Sequence, residues 1–323
     1  MYGVSSALYS INTVVALHLK VLSEGWVMNA EVFADWLAIQ GHRVIKTANS
    51  YWFDQGPRAF QAFPYHHLIH PGERELKDLL LKEKAVCIRF SAPIDSGLGA
   101  LSYHMTYESP DYDLRMLDRR SRQNIRKGLS NCCIEPISLE RLAAEGFALE
   151  VDTLQRQARN LNISRNGWRK KFLSAVKLPG FEAWGALVNG HLGAALFTFQ
   201  MDDWCYMLHA QCDRQYLPLR INNALSYVVT KTMMERNTVN SVFYSLHSLD
   251  ASSSVDQFKL RMGYTAKPVL QCVSFHPCLS IFLNSFTHYI LSRLVRKYPG
   301  RDLLSKSEGL LRFYLKGKGA SKN

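Results

Sequence analysis

The dipeptide Asn189-Gly190 is the tightest local constraint in this 323-residue chain. It separates two apolar runs, Phe181 to Val188 and Leu192 to Gln200, and Asn-Gly suits a two-residue hairpin because both turn positions take positive φ. The two runs are therefore predicted to be antiparallel strands, and the chain around them has to supply the rest of a sheet. Trp204 to Ala210, rich in aromatic and apolar residues, predicts a third strand. Ile221, Leu225, Val228, Val229 and Met233 then recur at helical spacing, which gives a helix one face to lay on that sheet. Val242 to Ser245 predicts a further strand, and Asp250 to Ser254 is a loop by composition. Val269 to Phe275 predicts the strand after it.

The residues before the hairpin alternate in the same manner. Met28 to Ile39 predicts an amphipathic helix ended by Gly41, with short strands at His42 to Ile45, Tyr51 to Phe53 and Ala59 to Phe63. Pro71 to Leu81 is a helix opened by its proline, followed by strands at Ala85 to Phe90 and Leu101 to Tyr107. After Ile134 to Ile137 comes a long helix from Leu139 to Asn160, whose residues Phe147, Val151, Leu154 and Ala158 share a face. A shorter helix covers Trp168 to Val176.

Pro110 to Leu129 has a different character. Arg115, Arg119, Arg120, Arg122, Arg126 and Lys127 crowd into one predicted helix, with Gly128 as its expected end. Arg119, Arg122 and Arg126 fall on one face, where like charges repel unless something anionic lies against them. Two partners suit that stripe: the local acids Asp111, Asp113 and Asp118, or the phosphates of a substrate. The whole chain carries a formal charge of +12, which favours anionic partners, and 47% of it is hydrophobic, enough for a sizeable core.

The seven cysteines contain no CxxC pair, which implies reduced thiols and neither a disulfide framework nor a zinc site. The apolar run Ile11 to Leu22 is shorter than a bilayer span, so the chain is expected to be cytoplasmic, at most peripheral at the inner face of a membrane. Leu279 to Leu294 predicts an amphipathic helix with two uses: packing on the preceding domain, or lying in the interface of an anionic membrane with the basic stretch Arg293 to Lys322 beside it.

Two short segments carry a resemblance. SVDQFKLRMGY (Ser254 to Tyr264) and the basic SRQNIRKGL (Ser121 to Leu129) are similar to the "FK..G" segment and the linker helix of the Fem-like branch of the GNAT acyltransferase superfamily. The resemblance covers residues from about 30 to about 270. It implies an α/β (α+β) chain of two GNAT-like domains, each a mixed, mostly antiparallel sheet flanked by helices. Residues 1–130 would form the first domain, ending in the basic helix, and 131–278 the second, with the amphipathic helix and basic tail at 279–323. It also implies an N-acyltransferase or aminoacyltransferase with no tightly bound cofactor and no metal. The donor would be aminoacyl-tRNA or an acyl-CoA or acyl carrier thioester, transferred directly to an amine. The alternative, from another class, is a catalytically inactive scaffold of the same fold that binds anionic membrane or RNA.

Direct transfer needs a cation or hydrogen-bond donor for the developing oxyanion, a base for the amine and a proton for the leaving group. Lys259 is the leading candidate for the first, since a lysine beside Phe258 and the flexible Gly263 can set a point charge in a closing segment; the plain alternative is a surface lysine on a strand or turn. His247 is a base by residue type, at a strand end with Ser245. Tyr206 and His209 are either proton shuttles or satisfied buried polar groups, and face opposite sides if their strand is regular. Phe258, Ser245 and His209 are expected to touch the acceptor, and Arg122, Arg126 and Lys127 the substrate phosphates. The loop Gln215 to Asn222 has no glycine and contains Pro218, so a coenzyme A pyrophosphate cradle is not expected there. Arg220 could still meet a donor phosphate, Asn222 cap the following helix, and Tyr264 contact the donor.

Overall fold

The computed structural model describes residues 30–249, 253–298 and 300–320. The run Ile11 to Leu22 lies outside them. The first half comprises α1 (Ala30–Gln40), β1 (Val44–Lys46), β2 (Tyr51–Gly56), β3 (Ala59–Phe63), α2 (Glu73–Leu81), β4 (Cys87–Ala92) and β5 (Ala100–Tyr107). The basic helix α3 (Arg119–Leu129) leads into β6 (Cys133–Ile137), α4 (Leu139–Arg156), α5 (Arg165–Leu173), β7 (Phe181–Val188), β8 (His191–Met201), β9 (Trp204–Cys212), α6 (Ile221–Met234) and β10 (Ser241–Leu246). The chain closes with α7 (Ser253–Arg261), β11 (Thr265–Phe275), α8 (Ser285–Lys297) and α9 (Asp302–Ala320). The hairpin forms as the Asn-Gly pair requires, with φ of 51° at Asn189 and 81° at Gly190.

These strands build one sheet in the order β1-β2-β3-β4-β11-β5-β10-β9-β8-β7-β6. One pattern occurs twice in it: an antiparallel run, then a helix, then a strand parallel to the last. It is β3-α2-β4 in the first half and β9-α6-β10 in the second. No sequence repeat announces the duplication. The halves then exchange strands, β5 pairing with β10 and β11 pairing with β4. The strand at Thr265–Phe275, expected within 131–278, thus bonds on both edges to strands of the first half.

The sheet is strongly curled. Six strand steps separate β3 from β8 in the sheet order, about 29 Å if the sheet were flat. Yet the ring of Phe33 on α1 lies 5.3 Å from Phe63 of β3 and 5.3 Å from Phe199 of β8. One helix of the first half therefore fills the hollow of both halves, with Trp36 donating to the Lys171 carbonyl at the end of α5 (2.9 Å).

Several expectations shift at this level. Gly128 lies inside α3, and Ser130 takes the C-cap. A Cβ at Gly128 would sit 2.5 Å from the Arg220 carbonyl oxygen, so the glycine lets α3 press on the start of α6. Gly128→Val is expected to lower stability by about 1–3 kcal/mol, read as a drop in denaturation midpoint; an unchanged midpoint would contradict the packing. In α4 the deeply buried face is Leu142, Gly146, Leu149, Glu150 and Thr153, whereas Phe147, Val151 and Leu154 form its half-buried flank. Polar Glu150 and Thr153 broke the apolar pattern that sequence periodicity relies on. The segment at 279–294 is interrupted: a 3-10 turn at Pro277–Phe282 precedes α8, and the basic stretch beyond it is the docked helix α9 rather than a free tail. Leu311 and Phe313 of α9 are buried. Cys87, Cys205, Cys212 and Cys272 are buried thiols, while Cys133 and Cys278 are exposed. No described helix is long and apolar enough to cross a membrane.

Candidate active site

The parallel pair β9/β10 stays in register only from Trp204–Ser241 through Tyr206–Phe243. Beyond that point β10 bulges at Tyr244 to follow β5, and β9 bulges at Leu208 to follow β8. Each bulge turns its strand away from the other. The wedge between them opens into a cavity of about 800 Å³.

Both halves line it. β2, the segment after β3, and β4 contribute Gln55, Tyr65 and Arg89; the second half contributes Met207, Leu208, residues Tyr244 to Leu249 and Lys259; α9 contributes Lys306. The end of α4 and the residues after it add Arg156 and Arg159. Among the described residues five cations (Arg89, Arg156, Arg159, Lys259, Lys306) line the cavity and no carboxylate does. Cations gathered on one wall give the cavity a positive field, which favours anionic ligands over cationic ones.

Lys259 lies on α7, not on a strand or turn, and is 4% exposed. Its Nζ donates to Ser245 Oγ (2.7 Å) and Asp256 Oδ1 (2.9 Å), and stands 5.5 Å from the centre of the Tyr244 ring. An ammonium has three donors, so one remains for a ligand. Asp256, one helical turn earlier, also accepts from the Tyr103 hydroxyl (2.5 Å). Burial acts to raise the Asp256 carboxyl, but the hydrogen bonds from Tyr103 and Lys259 and the Lys259 charge outweigh it and hold it below the usual range.

His247 is fixed on the neighbouring wall. Its ring stacks on Tyr103 (4.2 Å), its Nδ1 lies 3.1 Å from Ser102 Oγ, and its carbonyl accepts from Arg89 (2.9 Å). Burial is the main force lowering its pKa; Asp256 opposes this, while Arg89, Arg312 and Lys259 add to it. A lowered pKa leaves the imidazole neutral at pH 7 and able to take a proton.

Tyr206 borders the cavity, but its hydroxyl bonds His66 Nδ1, and burial drives its pKa well above the usual range. His66 is itself lowered to about 3, chiefly by burial, and so is a neutral acceptor for that hydroxyl. The bulge at Leu208 reverses the alternation of β9, so His209 shares a face with Tyr206 instead of opposing it. There His209 meets Trp168 (5.7 Å) and Glu150 Oε2 (3.3 Å), away from the cavity lining.

The remaining expected residues lie elsewhere. Arg126 and Lys127 are exposed on α3, and Arg122 donates to the Leu117 carbonyl (2.9 Å); none lines the cavity. α3 is spent on packing against α6, which turns its charges outward. Arg220 itself occupies the N-cap of α6 with φ of 63°, so Asn222 sits within the helix and does not cap it. Phe258 packs on the core of the second half, and Tyr264 is buried with its hydroxyl on Thr230 Oγ1 (2.6 Å). Sequence reading missed Arg89, Arg156, Arg159, Lys306, Tyr103 and Asp256. Only Asp256, spaced three residues before Lys259, carried a local signal.

No family model matches the chain, and no curated protein matches it. Solved structures do. FemX superposes with a TM-score of 0.53 at 10% identity, over 80% of this chain and 94% of that one. The C-terminal domain assigned to a lysylphosphatidylglycerol synthetase from Agrobacterium fabrum gives 0.52 at 11% identity, over 80% and 92%. L-PGS from Bacillus licheniformis gives 0.50 at 11% identity, over 85% and 98%. The chain shares its fold with these three structures.

Proposed function

We propose that this chain is an acyl or aminoacyl transferase that moves an activated acyl group from a phosphate-bearing carrier to an amine. The observation that carries the reading is the wall of five cations around a wedge whose inner end holds Lys259. The similarity of the fold to FemX and to the domain assigned to a lysylphosphatidylglycerol synthetase supports this class of chemistry.

In the transfer step the acceptor nitrogen forms a bond to the acyl carbon, and the bond from that carbon to the carrier oxygen or sulfur breaks. Lys259, held on Ser245 and Asp256, meets the oxygen that gains charge, at a site where water does not dilute the interaction. His247 takes the proton the nitrogen loses and returns it to the departing alcohol or thiol. Tyr206, tied to His66, shapes the wall. Arg156, Arg159 and Lys306 hold the carrier's phosphates. Aminoacyl-tRNA and acyl-CoA both meet this description of the donor. The glycine-free turn at Arg214–Leu219, with Pro218 inside it, favours the former.

Thermal melting with aminoacyl-tRNA and with acyl-CoA in parallel, followed by a transfer assay with the stabilising donor, tests the reading. Stabilisation by one donor and appearance of its N-acyl product are expected; no shift and no product with either would overturn it. Replacing Arg156 and Arg159 together by alanine is expected to raise the KM for the donor at least tenfold with kcat nearly unchanged, as for hydrogen bonds to charged groups of about 1.5–3 kcal/mol each. An unchanged KM would remove both arginines from the donor site. The fold also suits a non-catalytic scaffold on membrane or RNA. Such a protein would bind its partner as well with Lys259→Met as without it.

A further inference from the structure

The 3-10 turn at Pro277–Phe282 and α8 turn their apolar residues the wrong way for a helix on a protein surface. The inner face of α8, with Thr287, His288, Leu291, Leu294 and Val295, is half-buried, and His288 Nε2 pairs with Glu308 of α9 (2.8 Å). The outward face carries Phe286, Tyr289 and Ile290, continued backwards by Ile281 and Phe282. Ile281 is 79% exposed and Phe286 72%, and no described residue covers them. These positions recur every three or four residues, and Arg293, Arg296 and Lys297 continue the same stripe into the last turns of the helix.

We propose that this stripe docks the protein on the surface of an anionic lipid bilayer, lying in the interface without crossing it. The charge pattern selects the occupant. From His276 to Arg301 the sequence holds four cations (Arg293, Arg296, Lys297, Arg301) and no aspartate or glutamate. Apolar side chains sink below the headgroups while cations at the same helix face meet lipid phosphates. The Arg293 guanidinium lies over the Tyr289 ring (5.0 Å) and bonds its hydroxyl (2.5 Å), so the stem of the arginine runs along apolar surface with its charge at the rim. An RNA surface would use the cations but has no use for the bare aliphatic side chains of Ile281 and Ile290. α8 packs on α9, which sends Lys306 into the cleft, so docking would hold the cleft beside the bilayer. Nothing in this inference depends on transfer, because partition needs neither donor nor acceptor.

Co-sedimentation of the full chain with vesicles tests it, comparing pure phosphatidylcholine with a mixture containing about one third phosphatidylglycerol. Binding to the anionic vesicles alone is expected, weakening as salt rises. Substituting Phe282, Phe286 and Ile290 together by serine is expected to lower partition at least tenfold. Arg293→Gln with Lys297→Gln should lower it about fivefold for each cation removed at low salt. Circular dichroism and the melting curve of each variant show that the fold is kept. Equal binding to both vesicle types, full binding by the serine variant, binding to RNA in place of vesicles, or a dimer that disappears in the serine variant would each overturn the proposal.

Discussion

Replacing Lys259 by methionine is expected to lower the rate of transfer by roughly 10²–10³-fold while leaving affinity for the phosphate-bearing carrier within a few fold, the pattern of a group that acts on charge formed only in the transition state. The geometry explains the split. Lys259 is pinned at the inner end of the wedge by Ser245 and Asp256, whereas Arg156, Arg159 and Lys306 come from other elements. The substitution leaves Asp256 with only the Tyr103 hydroxyl, so some stability will be lost as well. The double variant Lys259→Met, Asp256→Asn removes the uncompensated carboxylate and should regain that stability without regaining turnover. If Lys259→Met transfers at the normal rate, or if the double variant restores the rate together with stability, the lysine is a structural ion-pair partner.

Truncation before Asp302 is expected to destroy cooperative folding. Sequence reading treated this stretch as a basic tail, but α9 is part of the molecule's packing. Leu311 and Phe313 are buried, and burial of two such side chains is worth about 3–6 kcal/mol, a large share of the stability of an ordinary domain. Two glycines let the helix come close: a Cβ at Gly309 would lie 2.8 Å from Leu249, and one at Gly317 would lie 2.8 Å from Gly99. Arg312 also donates to the Leu249 carbonyl (2.9 Å). A melting curve for residues 1–301 that matches the full chain would contradict this account.

Local chemistry determined what could be read in advance. Asn189-Gly190 fixed a hairpin, and the apolar runs located most strands to within a residue or two, though β11 begins at Thr265, four residues before the expected Val269, and β2 runs on to Gly56. Lys259, Ser245, His247 and Tyr206 were found together in the cleft because they fall within about sixty residues of chain that build one splayed strand pair. Arg89 could not be found this way. Its place beside His247 depends on the order in which β4, β11, β5 and β10 pair, and no local pattern encodes that. Nor could the outward turn of Arg126 be read, since the requirement that sets it is the contact of Gly128 with Arg220, across about ninety residues of sequence. The reversal at His209 came from a single bulge, which period-two alternation cannot anticipate.

The exchange of strands between the halves constrains how the molecule is made. β4 has no partner on its inner edge until β11 arrives, about 170 residues later. During synthesis the early strands must therefore wait with an open edge until β11 has left the ribosome, a condition that slows folding and invites mispairing between neighbouring nascent copies. A fragment ending at residue 130 would lack β11 and so leave the inner edge of β4 bare, an edge on which a second copy of the fragment could pair.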